Sequence, residues 1–225
     1  MLAKEMQREL GFIRKSIDQY VSAGSRIFAS SSFQTHSIPM LHMISQTQAD
    51  IPIYFVNTGF HFPETFQFRD EIAAQLKLSV ISVSSPIDKI QQRAQDGSFI
   101  FMKDPDHCCH MNKVLPLEPI LQNHDIWING IRKDQTDFRE SLRHEEKAPF
   151  NTLRFHPMLN WTSQMIWAYR QHFNLPAHPL EEKGYFSIGC MPCSRSFVDS
   201  PAERSGRWHG LKKTECGIHT ELTQK

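Results

Sequence analysis

Cys108 and Cys109 stand side by side in DPDHCCHMNK, Cys190 and Cys193 form a C-x2-C pair in SIGCMPCSRS, and Cys216 stands alone in KTECGIH. Four thiolates from two distant segments are the ligand set of a zinc ion or an iron–sulfur cluster. Adjacent cysteines do not suit a zinc knuckle, because successive side chains diverge unless the backbone is bent. The separated metal corners of a multi-iron cluster relax that demand. The pattern therefore favours a four-iron cluster, with zinc, disulfides and ordinary buried thiols as the other readings. Disulfides are the weakest of these: the opening MLAKEMQREL has no apolar core or cleavage site of a secretory leader, and five cysteines cannot all pair.

The fifth cysteine is left over, which is what a nucleophile needs to be. Its neighbours include Lys212, Lys213, Glu215, Gly217 and His219. Cationic neighbours stabilise a thiolate, and Gly217 leaves the sulfur uncrowded. The tail is thus expected to be exposed and reactive; a small apolar filler near the C-terminus is the alternative.

With 40% hydrophobic and 22% charged residues among 225, the chain is long enough for one good core. A net charge of +1 argues against a broad nucleic-acid face, and no apolar run reaches the length of a membrane span. Twelve histidines are scattered without an H-E-x-x-H pair. A cytoplasmic location is the default, and nothing argues against a homo-oligomer.

The elements that must carry these residues alternate. Apolar spacing predicts a helix over 3–21, then a strand in RIFASSS, a helix from about Ser37-Ile38-Pro39, and a strand in IPIYFVNTG. PETFQFRDEIAAQLK follows as a helix with proline and Glu64 in its first turn. LSVISVS, HDIWING and TLRFHPML read as further strands, SPIDKIQQRAQ as a helix, and NWTSQMIWAYRQHF as a helix capped by Asn160 or Thr162. Such alternation predicts an α/β fold, mainly a parallel sheet with helices on both faces. Ligands bind at the carboxyl ends of such strands. The turns SSSFQ, NTGFHFPE and NGIRKDQ all follow strands, so they should meet on one edge, with Arg132, as a phosphate-binding rim. After about residue 175 the chain turns irregular, rich in Gly, Pro, Ser and basic residues. It is expected to divide into an α/β nucleotide-binding unit, 1–185, and a tail bearing cluster ligands and nucleophile, 186–225, in one structural unit.

Read in order, CC, GIRKDQTDFR, HPLEEKGYFSIGCMPCSR, ERSGRW and KTECGIH resemble the cluster-bearing assimilatory adenylyl-sulfate (APS) reductases over roughly residues 26–219. SSSFQ resembles the altered PP-loop of the wider adenylyl- and phosphoadenylyl-sulfate reductase group, and TGFHFPET its second nucleotide-side loop. The ATP-using relatives carry S-G-G-x-D-S; here both glycines and the aspartate are missing, and Gln34 stands where many of the group have glycine.

The resemblance implies a PP-loop adenine-nucleotide hydrolase-like fold with an irregular C-terminal lobe bound to a [4Fe–4S] cluster. Cys108, Cys109, Cys190 and Cys193 would hold that cluster. Cys216 would attack the sulfur of adenosine 5′-phosphosulfate, and thioredoxin or glutaredoxin would release sulfite. Ser30, Ser31 and Ser32, with Lys113 and Arg139, would bind substrate; Arg204 and Arg207 would meet the sulfate and phosphate charge. Lys113 would lie between cluster and substrate. His219 would orient thiolate or substrate, unless it is a plain surface histidine. Three other readings are a phosphoadenylyl-sulfate (PAPS) or dual-specificity reductase, an ATP pyrophosphatase or sulfurtransferase, and a non-catalytic iron–sulfur sensor. The missing ATP-type loop counts against the second, and a lone cysteine beside two arginines against the third.

Overall fold

The computed structural model describes residues 3–196, 204, 206–208, 213 and 215–223. Lys212 and the remaining tail positions lie outside the described residues. Six strands form one sheet: β1 (Ile27–Ser30), β2 (Ile53–Asn57), β3 (Val80–Ser84), β4 (Ile126–Asn129), β5 (Glu145–Lys147) and β6 (Leu153–Phe155). Their order is β3-β2-β1-β4-β6-β5, parallel throughout except where β5 runs antiparallel to β6. The expected α/β, mainly parallel architecture is what forms.

Alternation along each strand sends side chains to two cores. Ile27 and Ala29, Ile53 and Phe55, and Ile126 and Ile128 pack on one face with α1 (Lys4–Ser22), α2 (Ile38–Ser45), α3 (Pro63–Leu76) and α7 (Ser163–His172). Phe28 and Trp127 point the other way. They meet Val114, Leu117, Ile120 and Leu121, which belong to the segment α4 (Pro105–Cys109), a π-helical turn (His110–Val114) and α5 (Glu118–Gln122). Both faces are therefore covered. Thr162 caps α7, its hydroxyl accepting from the Met165 amide at 3.2 Å.

Two local expectations differ. SPIDKIQQRAQ is irregular, since Ile90 is 77% exposed and has no surface to pack on, while Gln92 turns inward. Its side-chain amide donates to Ile87 O at 2.7 Å and its oxygen accepts from Asn112 at 2.7 Å, so tertiary contacts replace the helix. β5, with the sequence EEK, carries no apolar pattern and exists because β6 offers it an edge.

β1 ends beside β4, and the chain leaves them in opposite directions across the sheet. That switch point opens a crevice above Ser30 and Asn129, the last residues of the two strands. Two short helices complete the rim, α6 (Asp137–Glu140) and α8 (Gly217–Thr220).

Candidate active site

The crevice is a cleft of about 980 Å³, part of it open solvent. Ser30, Ser31 and Ser32 line it from the loop after β1, and Asn129, Gly130 and Ile131 from the end of β4. Ser30 Oγ accepts from Trp127 Nε1 at 2.7 Å, and Ser31 Oγ from the Phe33 amide at 3.1 Å. Phe33 takes a left-handed φ of 53° that a glycine would adopt more cheaply. Its ring is fully buried, so core packing holds the strained turn. Gln34 ties this loop to the cysteine-rich segment: its oxygen accepts from the Ile188 amide at 3.1 Å.

Lys113, Arg139, Arg204, Arg207, Cys216 and His219 line the same cleft. Lys113 projects from the π-helical turn, is 9% exposed, and makes no ion pair among the described residues. Burial would push its pKa down, but Cys190, Cys216 and Cys109 around it outweigh that and hold it well above the ordinary value. Arg204 is pushed down to about 9, first by burial and then by Arg139, and its Nη2 lies 3.7 Å from Glu215 Oε2. Arg207 lies on the backbone of Gly189, where a Cβ would collide with the guanidinium. It also donates from Nε to Cys193 O at 3.2 Å and sits 4.5 Å over the Trp208 ring.

Arg139 is oriented inward. Its Nε and Nη2 donate to the two carboxylate oxygens of Glu215, each at 2.8 Å, and Nη1 donates to Gln135. The adjoining Thr136 hydroxyl also binds Glu215, at 2.6 Å. The side chain expected to contact substrate thus lines the cleft and also clamps the residue before Cys216. Arg132, expected on the phosphate rim, is likewise engaged: buried, it forks onto Asp134 and donates to Ser163 and His36.

Cys216 was expected exposed, yet it is 8% exposed and packed with Cys109, Trp208 and Ile218. Gly217 permits this, because a Cβ there would meet the Glu221 carboxylate, Val114 and the Cys109 Cβ. The Cys216 thiol is held well below its usual pKa. A hydrogen bond from Cys109 contributes most; Lys113, the Ile218 amide and Arg207 add to it, and burial opposes.

A second cavity, about 310 Å³ with part of it open solvent, is lined by Cys108, Cys109, Cys190 and Cys193, with Thr58, Asn112 and Lys113. Lys113 and Cys190 line both cavities. The bend that two adjacent cysteines require is the passage from α4 into the π-helical turn directly after Cys109. Thr58 Oγ1 lies 3.2 Å from Cys190 Sγ, and Asn112 Nδ2 3.6 Å from Cys108 Sγ, so each sulfur has a polar neighbour. All five cysteines are free thiols. Among the described residues no three Cys, His, Asp or Glu side chains converge as a lone metal ion requires. Burial first, and then Cys190, push the Cys108 and Cys193 thiols up, so as free groups they stay protonated.

A profile described as the phosphoadenosine phosphosulfate reductase domain matches residues 26–196. The chain belongs to the phosphoadenosine phosphosulfate reductase family. Membership makes it an oxidoreductase of sulfate assimilation that reduces a sulfonucleotide. An adenosine 5′-phosphosulfate reductase of Oceanobacillus iheyensis is 35% identical over 203 residues, 89% of this chain and 85% of that one. A phosphoadenosine 5′-phosphosulfate reductase of Gloeobacter violaceus is 36% identical over 87% of this chain and 83% of its own. In fold, a PAPS reductase of Candida auris superposes with a TM-score of 0.67 at 19% identity, covering 85% of this chain and 97% of that one.

His61, Asn129 and Trp208 lie in stretches that the sequence reading marked without singling these residues out. They line the cleft with buried nitrogens, at Nδ1, Nδ2 and Nε1, that have no partner among the described residues. His61 is spoken for on its other nitrogen, which donates to Val56 O at 3.0 Å, and burial lowers its pKa to about 4. The loop after β2 divides its residues between the cavities: Thr58 and Phe60 face the cysteines, His61 the cleft.

Proposed function

We propose that the chain reduces adenosine 5′-phosphosulfate to sulfite and AMP through an S-sulfocysteine on Cys216. One observation carries this reading: the Cys216 thiol, Lys113, Arg204 and Arg207 share one cleft with the serine loop at the switch point. The buried cations invite an oxyanion, and Asn129 Nδ2 and Trp208 Nε1, which have no partner among the described residues, offer it hydrogen bonds. The Cys216 thiolate attacks the sulfate sulfur; an S–S bond forms, the S–O bond to the phosphate breaks, and AMP leaves with that electron pair. A dithiol of the thioredoxin or glutaredoxin type then attacks Cys216 Sγ. Sulfite departs, and the second thiol resolves the mixed disulfide. The dithiol becomes a disulfide and supplies both electrons.

The four cysteines around the smaller cavity fit a [4Fe–4S] cluster in donor chemistry: soft sulfur ligands from two segments, with hydroxyl and amide neighbours for two of them. Bound there, it would tie Cys190 and Cys193 to the turn bearing Cys108 and Cys109 and add negative charge beside Lys113, which lines both cavities. A cytoplasmic enzyme with no nucleic-acid or membrane partner is consistent with this chemistry. Among the described residues no helix is long and apolar enough to cross a membrane.

The Gloeobacter relative supports a second reading, in which a 3′-phosphate is accepted equally well. Anaerobic assays with each nucleotide and thioredoxin separate the two, APS giving the higher kcat/KM. Mass spectrometry of protein mixed with APS should find the Cys216 peptide heavier by one SO3. Absence of that adduct from metal-loaded protein would refute the mechanism.

A further inference from the structure

Arg154 is an arginine that neither the motifs nor the reaction above uses. It is fully buried in β6 and makes no ion pair among the described residues. Three strands in register place Phe28, Trp127 and Arg154 side by side on one face of the sheet. The guanidinium stacks 4.4 Å over the Trp127 ring, whose Nε1 donates to Ser30 of the cleft. Its outer edge reaches α8: Nη1 donates to Ile218 O at 3.4 Å, and Nη2 lies 2.5 Å from His219 Nδ1.

A guanidinium can only donate. His219 Nδ1 must therefore accept, which excludes both the imidazolium and the tautomer protonated at Nδ1. The ring proton sits on Nε2, and that nitrogen has no partner among the described residues while the ring lines the cleft. With both lone-pair positions spoken for, His219 has no basic nitrogen left to take the Cys216 proton.

We propose that Arg154 is a positioning residue that locks His219 as the Nε2–H tautomer, making it a fixed, neutral hydrogen-bond donor to an oxyanion of the bound sulfonucleotide. The part concerning the substrate rests on the function proposed above; the tautomer does not. The surroundings agree. Burial and then Arg139, Arg154, Arg204 and His156 hold the His219 pKa well below its usual value. Arg154 itself, pushed down to about 9 by burial and Arg139 against Glu146, Glu215 and Cys216, stays charged near neutrality. A neutral donor suits this place, where a further full cation would add repulsion.

Long-range 1H–15N correlation on 15N-histidine-labelled, metal-loaded protein reads the tautomer without any substitution. His219 is expected as Nε2–H from pH 6 to 8, and an Nδ1–H or doubly protonated ring would overturn the proposal. Two replacements then separate the nitrogens, since a Gln amide reaches about as far as Nε2 and an Asn amide about as far as Nδ1. His219→Gln should keep a Cys216 sulfonation rate about ten- to a hundred-fold above that of His219→Asn, the span of one hydrogen bond to a charged group. Equal rates, or the reverse order, count against the assignment. Arg154→Met should release the ring to a mixture of tautomers and slow sulfonation, and Arg154→Lys, which keeps a donor, should restore both. If wild-type protein never forms the Cys216 adduct, the functional reading fails while the spectrum still decides the ring.

Discussion

Glu215 and Arg139 show how much of the site turns on single side chains. Their side chains are 4% and 5% exposed, and the guanidinium engages both carboxylate oxygens at 2.8 Å. Breaking such a pair leaves one charge buried alone, at a cost of roughly 3–5 kcal/mol. Glu215→Ala should lower stability by about that amount in anaerobic urea unfolding; an unchanged midpoint would mean the clamp carries no weight. Because Glu215 adjoins Cys216, the same variant should also loosen the nucleophile and speed its alkylation by iodoacetamide. Gly189 makes a complementary case. Gly189→Ala pushes the Arg207 guanidinium off its seat without filling any core space, so sulfonation should fall about ten-fold or more, the scale of one lost charge-assisted contact, with the unfolding midpoint unmoved. Sequence reading found Arg139 and Cys216 but missed the Glu215 clamp on the first and the burial of the second. Charge and motif mark a residue as important, whereas its partner 76 positions away is chosen only when α6 and the tail meet.

At the scale of elements, the joint between α3, the loop after β1 and the start of the irregular segment runs through His178. The His178 amide donates to Thr35 Oγ1 at 3.0 Å, Nδ1 accepts from the Leu180 amide at 3.2 Å, and Nε2 meets Thr65 Oγ1 at 3.1 Å. Burial, only partly offset by Glu64, lowers its pKa from 6.5 to about 4. The unfolded chain therefore takes up a proton near pH 6.5 and the folded chain only near pH 4. Stability should be unaffected above about pH 6.5 and fall between there and pH 4, by on the order of 2–3 kcal/mol from this group. His178→Gln should flatten that part of the stability–pH curve; a slope identical to wild type would count against it. His61, lowered to about 4 as well, shares the window. The strands and the long helices were legible from periodicity, because a buried face imposes it. β5 was not, since its pairing with β6 owes nothing to its own EEK sequence, and neither was the failure of SPIDKIQQRAQ to become a helix.

For the molecule as a whole, the two cavities share one wall of Lys113 and Cys190, so the four paired cysteines and Cys216 depend on one assembly. Anaerobically purified protein should be brown with about four irons per chain; one zinc without sulfide would remove the cluster from the account. Chelation should expose the segment after residue 186 to limited proteolysis while leaving residues 3–185 resistant, and uniform digestion would contradict its bracing role. The amino-acid sequence by itself determined the alternating α/β order, the ligand-like cysteine pairs, the solitary thiol and the family, because periodicity and motif spacing are local properties of the chain. Only the tertiary structure decided that Cys216 is enclosed, that Arg139 faces Glu215 while Lys113 has no ion pair among the described residues, and that Arg154 reaches His219. Those outcomes follow from which strands lie side by side and which segment folds over the switch point, and long-range packing alone sets them.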